Sequence, residues 1–185
     1  GAIETNQSLR PSLWNVDSLL WGYFMTIQLP EVKHIYQNDS TLDSTRWQHY
    51  IPRADDIIVA TAPKCGTTWM QNIVMHLIFQ DLQFRPVFDI FPWLDILNPP
   101  IGEVIAKLDA QEHRRSLKTH LPLDGLIYHP QVKYIVVCRD VRDAFMSLYN
   151  HLSNTLDMKT ETPFLNDIRE FWRLWMTKGA FEWQS

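Results

Sequence analysis

Apolar and polar positions alternate with two different periods along this chain, and the switches between them outline its elements. Asp55 and Asp56 precede a short apolar run, Ile57-Ile58-Val59-Ala60, which predicts a buried strand. Pro63-Lys64-Cys65-Gly66 breaks it. Trp69, Ile73 and Leu77 then recur at helical spacing, with Met70, Val74 and Ile78 beside them. Proline-rich loops follow around Pro86, Pro92 and Pro99-Pro100, and a short amphipathic helix is predicted over 103–111. Ser116–Thr119 reads as a brief strand that stops before Pro122. A stronger strand over 133–138 leads into a helix over 141–152. Thr162 is a good N-cap with Pro163 at the first helical position, and Phe164, Ile168, Phe171, Trp172 and Trp175 mark one face of a last helix ended by Gly179. Strands alternating with helices predict an α/β fold, a central parallel sheet with helices on both faces. Ligands of such sheets sit beyond the carboxyl ends of the strands.

Composition narrows the class. A chain of 185 residues, 45% hydrophobic and 21% charged, describes one globular domain spanning 1–185 rather than a disordered segment. Its net charge of −4 gives no footprint for nucleic acid. The uncharged stretches 18–30 and 65–80 are shorter than a membrane span requires and read as core or pocket, so no membrane partner is expected. Cys65 and Cys138 form no CxxC pair, and the seven histidines show no metal spacing. Reduced thiols in the cytosol are the simpler reading.

Three segments carry chemistry. The first is Pro63-Lys64-Cys65-Gly66-Thr67-Thr68-Trp69 at the end of the first strand. A glycine there lets successive N–H groups turn toward an anion, and the helix N-terminus adds its positive dipole end. Lys64 adds a full charge, and Thr67 and Thr68 add hydroxyls. This is not a Walker A loop, because the lysine precedes the glycine. A thiol at a helix start beside a lysine is expected to have a lowered pKa, so Cys65 is expected to be reactive and Cys138, inside an apolar strand, inert.

The second segment is Lys118-Thr119-His120-Leu121-Pro122. Residues two apart on a strand point the same way, so Lys118 and His120 face one site. A neutral imidazole there can take a proton from a hydroxyl while the ammonium stabilises developing negative charge. The third is Arg139, directly after an apolar strand, with Ser147 eight residues on; an arginine in that place commonly clamps a phosphate.

In their order, these segments resemble the cytosolic-type sulfotransferases over roughly 57–150. The family's 5′-phosphosulfate loop is similar to Thr61 through Trp69. Its catalytic Lys-Thr-His-x-Pro strand matches Lys118 to Pro122, and its 3′-phosphate segment matches Val137 to Asp143 with Ser147. The resemblance implies a P-loop-like sulfotransferase fold and a donor, 3′-phosphoadenosine 5′-phosphosulfate, leaving as 3′-phosphoadenosine 5′-phosphate, with no metal. It implies that Lys64 meets the leaving phosphate, Lys118 stabilises the sulfuryl group in flight and His120 is the general base. It further implies that Lys64, Cys65, Gly66, Thr67, Thr68 and Trp69 hold the nucleotide, Trp69 near the adenine, with Arg139 and Ser147 on the 3′-phosphate. The resemblance also implies an acceptor pocket lined by Phe91, Trp93 and His120, with Phe24, Trp21 and Tyr23 expected from the N-terminal side, and a small phenol or alcohol is the expected acceptor. Cys65 departs from the family's usual serine, and the family's glycine-spaced C-terminal motif has no counterpart before Ser185, so an incomplete C-terminal part and weak nucleotide binding by 1–185 alone are expected. A homodimer stays open. An inactive nucleotide-binding homologue or scaffold is the alternative, with a phosphotransferase or a membrane-anchored Golgi sulfotransferase less favoured.

Overall fold

The computed structural model describes residues 29–38, 41–154 and 166–179. Three parallel strands form its sheet in the order β2-β1-β3: β1 (Ile57–Thr61), β2 (Ser116–Thr119) and β3 (Lys133–Val137). Ile57 pairs with Ser116 on one side and Lys133 on the other, and the register runs on to Thr61 opposite Val137. As the central strand, β1 is covered on both faces, which explains its continuous apolar run. Its side chains alternate between two cores. Ile58 joins Trp47, Tyr50, Leu94, Leu117 and Leu126, while Ile57 and Val59 join Val74, Met75, Ile90 and Phe91.

Helix α1 (Thr67–Phe79) supplies Val74 and Met75 to one core, and α3 (Ile101–Asp109) supplies Val104 and Leu108 to the other. The expected two-sided arrangement is therefore present. Between them lies α2 (Val87–Ile90), one turn within the proline-rich stretch and too short for periodicity to reveal. Helices α4 (Val141–Ser153) and α5 (Ile168–Lys178) share a third cluster built on Phe145, Leu148 and Phe171. The last helix begins at Ile168, where the Asp167 carboxylate accepts the Arg169 N–H at 2.8 Å. Thr162, Pro163 and Phe164, the expected start, lie outside the described residues.

At the amino ends of the strands a buried network fixes the sheet. Arg115 Nε and Nη2 donate to the two Asp56 carboxylate oxygens at 2.9 and 2.6 Å, and the Tyr50 hydroxyl donates to the same carboxylate at 2.6 Å. Arg115 Nη1 reaches Asp109 at the end of α3 at 2.8 Å. Burial alone would raise Asp56, but the hydrogen bonds from Arg115, the Arg53 N–H and Tyr50 outweigh it and hold its pKa below the usual range. The carboxyl ends, by contrast, carry the residues singled out for chemistry.

Candidate active site

The loop after β1 turns on two residues in the left-handed region, Lys64 at φ 63° and Gly66 at φ 99°. Only glycine takes the second without strain. Gly66 caps α1 with no side-chain hydrogen bond, so the first N–H groups of a 13-residue helix face outward without a local partner, the arrangement that binds anions. The Thr67 hydroxyl is turned inward to the Thr61 hydroxyl, leaving its backbone N–H for a ligand, whereas Thr68 is exposed. Trp69, 81% exposed, stands on the first turn of α1 with its ring open to solvent.

Beyond β2, a tryptophan organises two of the expected catalytic groups. Lys118 N donates to the Pro92 carbonyl at 3.1 Å, which brings Trp93 alongside the strand. Lys118 Nζ lies 4.0 Å from the Trp93 ring centroid and 5.6 Å from that of Phe88, within cation–π range. The His120 imidazole meets the same Trp93 ring edge-on at 5.0 Å. Its Nδ1 pairs with the Thr61 carbonyl at 2.8 Å, which fixes the neutral tautomer with the proton on Nδ1 and makes Nε2 the basic nitrogen. Burial, with the Lys118 and Lys64 charges adding, pushes His120 down to about 4 against that hydrogen bond. Burial also lowers Lys118, opposed by the charge of Asp95.

Asp95 was not singled out from sequence, yet it anchors this group. Fully buried, it accepts the indole N–H of Trp93 at 2.7 Å and of Trp47 at 3.1 Å. Burial raises its pKa despite these bonds and one from Thr119. The Trp93-x-Asp95 spacing was the available signal. Phe91 does not join the site: 1% exposed, it packs with Ile57, Val59 and Met75 in the core, because the chain turns its ring under α1 while Trp93 takes the open side. Phe24, Trp21 and Tyr23 lie outside the described residues.

Arg139 follows β3, and its Nη1 donates to the Lys64 carbonyl at 3.1 Å, tying the third segment to the first. Ser147 and Lys64 line an open depression of about 420 Å3 with Asn150, His151 and Asn154. Ser147, Asn150 and His151 on α4 and Asn154 at its C-cap are spaced three, four and seven apart, one helical face, a pattern that the sequence carries. The surroundings of the thiols differ from those expected. Cys65 is buried, and burial together with nearby Cys138 raises its pKa against the Arg139 hydrogen bond and charge. Cys138 lies past the end of β3 and is exposed.

Among the described residues, no helix is long and apolar enough to cross a membrane, and no cluster of three or more His, Cys, Asp or Glu gathers as metal ligands. Residues 54–183 match the sulfotransferase domain family. A glycolipid sulfotransferase of Mycobacterium tuberculosis is 40% identical over 131 residues, 70% of this chain and 40% of the relative. Mouse sulfotransferase 1E1 is 32% identical over 130 residues, 66% of this chain and 44% of the relative. Mouse sulfotransferase SULT7A1, solved in complex with PAP, superposes with a TM-score of 0.57 at 17% identity, covering 82% of this chain and 54% of that one, a likeness of fold. The chain spans about two fifths of the length of the curated relatives it matches. A domain match over more than half of its length, with the parallel sheet to go with it, makes this chain a member of the sulfotransferase family.

Proposed function

We propose that the protein this chain belongs to transfers a sulfuryl group from 3′-phosphoadenosine 5′-phosphosulfate to the hydroxyl of a small molecule. The observation that carries the reading is the packing of Lys118 and His120 on one Trp93 ring, beside a phosphate loop whose helix N-terminus has no side-chain cap. The nucleotide fits the residues present: the N–H groups at the start of α1 and the Lys64 ammonium for the 5′-phosphosulfate, Arg139 and Ser147 for the 3′-phosphate, and exposed Trp69 for the adenine. That a mouse sulfotransferase of similar fold is crystallised with PAP supports a nucleotide of this kind.

The donor supplies an activated sulfur with a good phosphate leaving group. His120 Nε2 takes the acceptor proton as its oxygen bonds to that sulfur. Lys118 stabilises the charge on the sulfuryl oxygens, and Lys64 stabilises the bridging oxygen as the S–O bond to phosphate breaks. Trp93 and exposed Phe88 give the acceptor an apolar wall, suited to a phenol or a lipophilic alcohol. The glycolipid relative extends that choice to an acceptor joining a sugar hydroxyl to a lipid. The two free thiols fit a cytosolic setting.

The test is an assay of the protein with labelled donor against phenols, alcohols and glycolipids. Transfer to one class supports the reading. Transfer only from ATP with Mg2+ overturns it, and bisphosphate binding without any transfer leaves a binding module instead.

A further inference from the structure

The chain's two cysteines, 65 and 138, meet at the phosphate loop. Gly66 lies against β3, where an added Cβ would stand 3.9 Å from Val137 Cγ1. On the other side of Cys65, the Lys64 carbonyl is held by Arg139. Gly66 therefore lies beside Val137 and Lys64 is hydrogen-bonded to Arg139, and Val137 and Arg139 are the two residues that flank Cys138. The Arg139 backbone N–H and the Cys138 thiol both lie near enough to the Cys65 sulfur to act on its ionisation. β1 and β3 run in register to Thr61 and Val137, so Cys138 follows the strand end beside which the loop holding Cys65 begins. Both thiols are free, one buried and one exposed.

We propose that Cys65 and Cys138 form an oxidisable pair, which a peroxide converts into an intramolecular disulfide fastening the phosphate loop to the end of β3. Cys138, the thiol that solvent reaches, attacks the peroxide as thiolate. An S–O bond forms, the O–O bond breaks, and the departing hydroxide is protonated to water. Cys65 then gives up its proton and attacks the Cys138 sulfur, forming S–S, breaking S–O and releasing a second water. Two thiols lose two electrons, and one peroxide becomes two waters. Burial leaves the first step to Cys138 and makes local opening of the loop the gate for the second.

The bridge straps the residue before Gly66 to the residue before Arg139. The loop holds Lys64 and Gly66 at positive φ, and the strap draws it from the form that aims the α1 N–H groups outward. Anion binding therefore falls in the oxidised chain. This consequence rests on the proposed donor site, whereas the bridge itself does not.

The experiment treats the reduced chain with hydrogen peroxide, maps its peptides without reduction by mass spectrometry, and measures adenosine 3′,5′-bisphosphate affinity by calorimetry. The expected product is a monomer lighter by two hydrogens, with one linked peptide pair holding Cys65 and Cys138. Its nucleotide affinity drops, dithiothreitol restores it, and Cys138→Ser forms no bridge and keeps its affinity under peroxide. Cys138 carried to sulfinic acid, or bridged between molecules, while Cys65 stays a thiol overturns the proposal. So does a bridged chain that binds as well as the reduced one. If the reduced chain binds no bisphosphate, the donor assignment fails while the peptide map still decides the bridge.

Discussion

His120 owes its proposed role to its surroundings more than to its identity. An ordinary histidine is partly protonated near pH 6, and a protonated imidazole accepts nothing. Here burial and the two lysines hold His120 down to about 4, so the imidazole is neutral throughout the physiological range. The sign is that of a depressed base: activity that depends on the neutral form is present above the pKa and lost as pH falls through it. The acid limb of kcat/KM is therefore expected near pH 4, and a limb near 6.5 would reject His120 as base. His120→Ala should keep bisphosphate affinity and lower kcat by about 10²–10⁴, the usual worth of general-base help. Affinity by calorimetry set against steady-state turnover separates the two, and an unchanged kcat moves the role elsewhere.

Among the elements, the strand ends divide labour: amino ends hold the sheet, carboxyl ends carry the residues of the proposed chemistry. Asp56 and Arg115, 0% and 2% exposed, are the clearest case of the first. Because the folded-state pKa of Asp56 lies below its unfolded value, its contribution is complete above about pH 4 and lost as pH falls further. Asp56→Asn should therefore be destabilised most near neutrality, and its deficit against the parent chain should shrink as pH drops toward 2, measured by urea unfolding. Arg115→Met, which strands the carboxylate, should cost about 3–5 kcal/mol, more than the double variant does. A double-variant loss equal to the sum of the two single losses would mean the pair is not coupled. Much of this level was legible in the chain. Ile57-Ile58-Val59-Ala60 announced a buried central strand, and Lys64, Gly66, Lys118, His120 and Arg139 marked the loop and strand ends that carry the candidate site, because short-range pattern governs strands and turns. What stayed hidden depended on long-range packing. Phe91 and Trp93 look equivalent in sequence, yet one enters the core and the other the site. Burial of Cys65 and exposure of Cys138 follow from where β3 ends against the loop, which no local pattern reports.

Taken whole, the site is assembled from the ends of all three strands, and its coherence depends on ties between segments far apart in sequence. His120 reaches back to Thr61 on β1, and Arg139 reaches from β3 to the Lys64 carbonyl. The second tie makes a sharp test of the proposed nucleotide site. Arg139 is exposed, and its guanidinium has donors beyond the one bond to Lys64, so it is placed to turn its planar fork onto a 3′-phosphate. If that is its work, Arg139→Ala should weaken adenosine 3′,5′-bisphosphate binding by roughly tenfold or more, the scale of one charge-assisted hydrogen bond, and leave adenosine 5′-monophosphate binding near its parent value. Arg139→Lys should recover only part of the loss, since a point charge replaces the attraction but not the fork. Calorimetry with both ligands at fixed salt measures each effect. Equal losses for the two nucleotides would give the opposite answer: Arg139 would then act through the Lys64 carbonyl, holding the loop in shape for any phosphate, and the 3′-phosphate would have to be read by other residues.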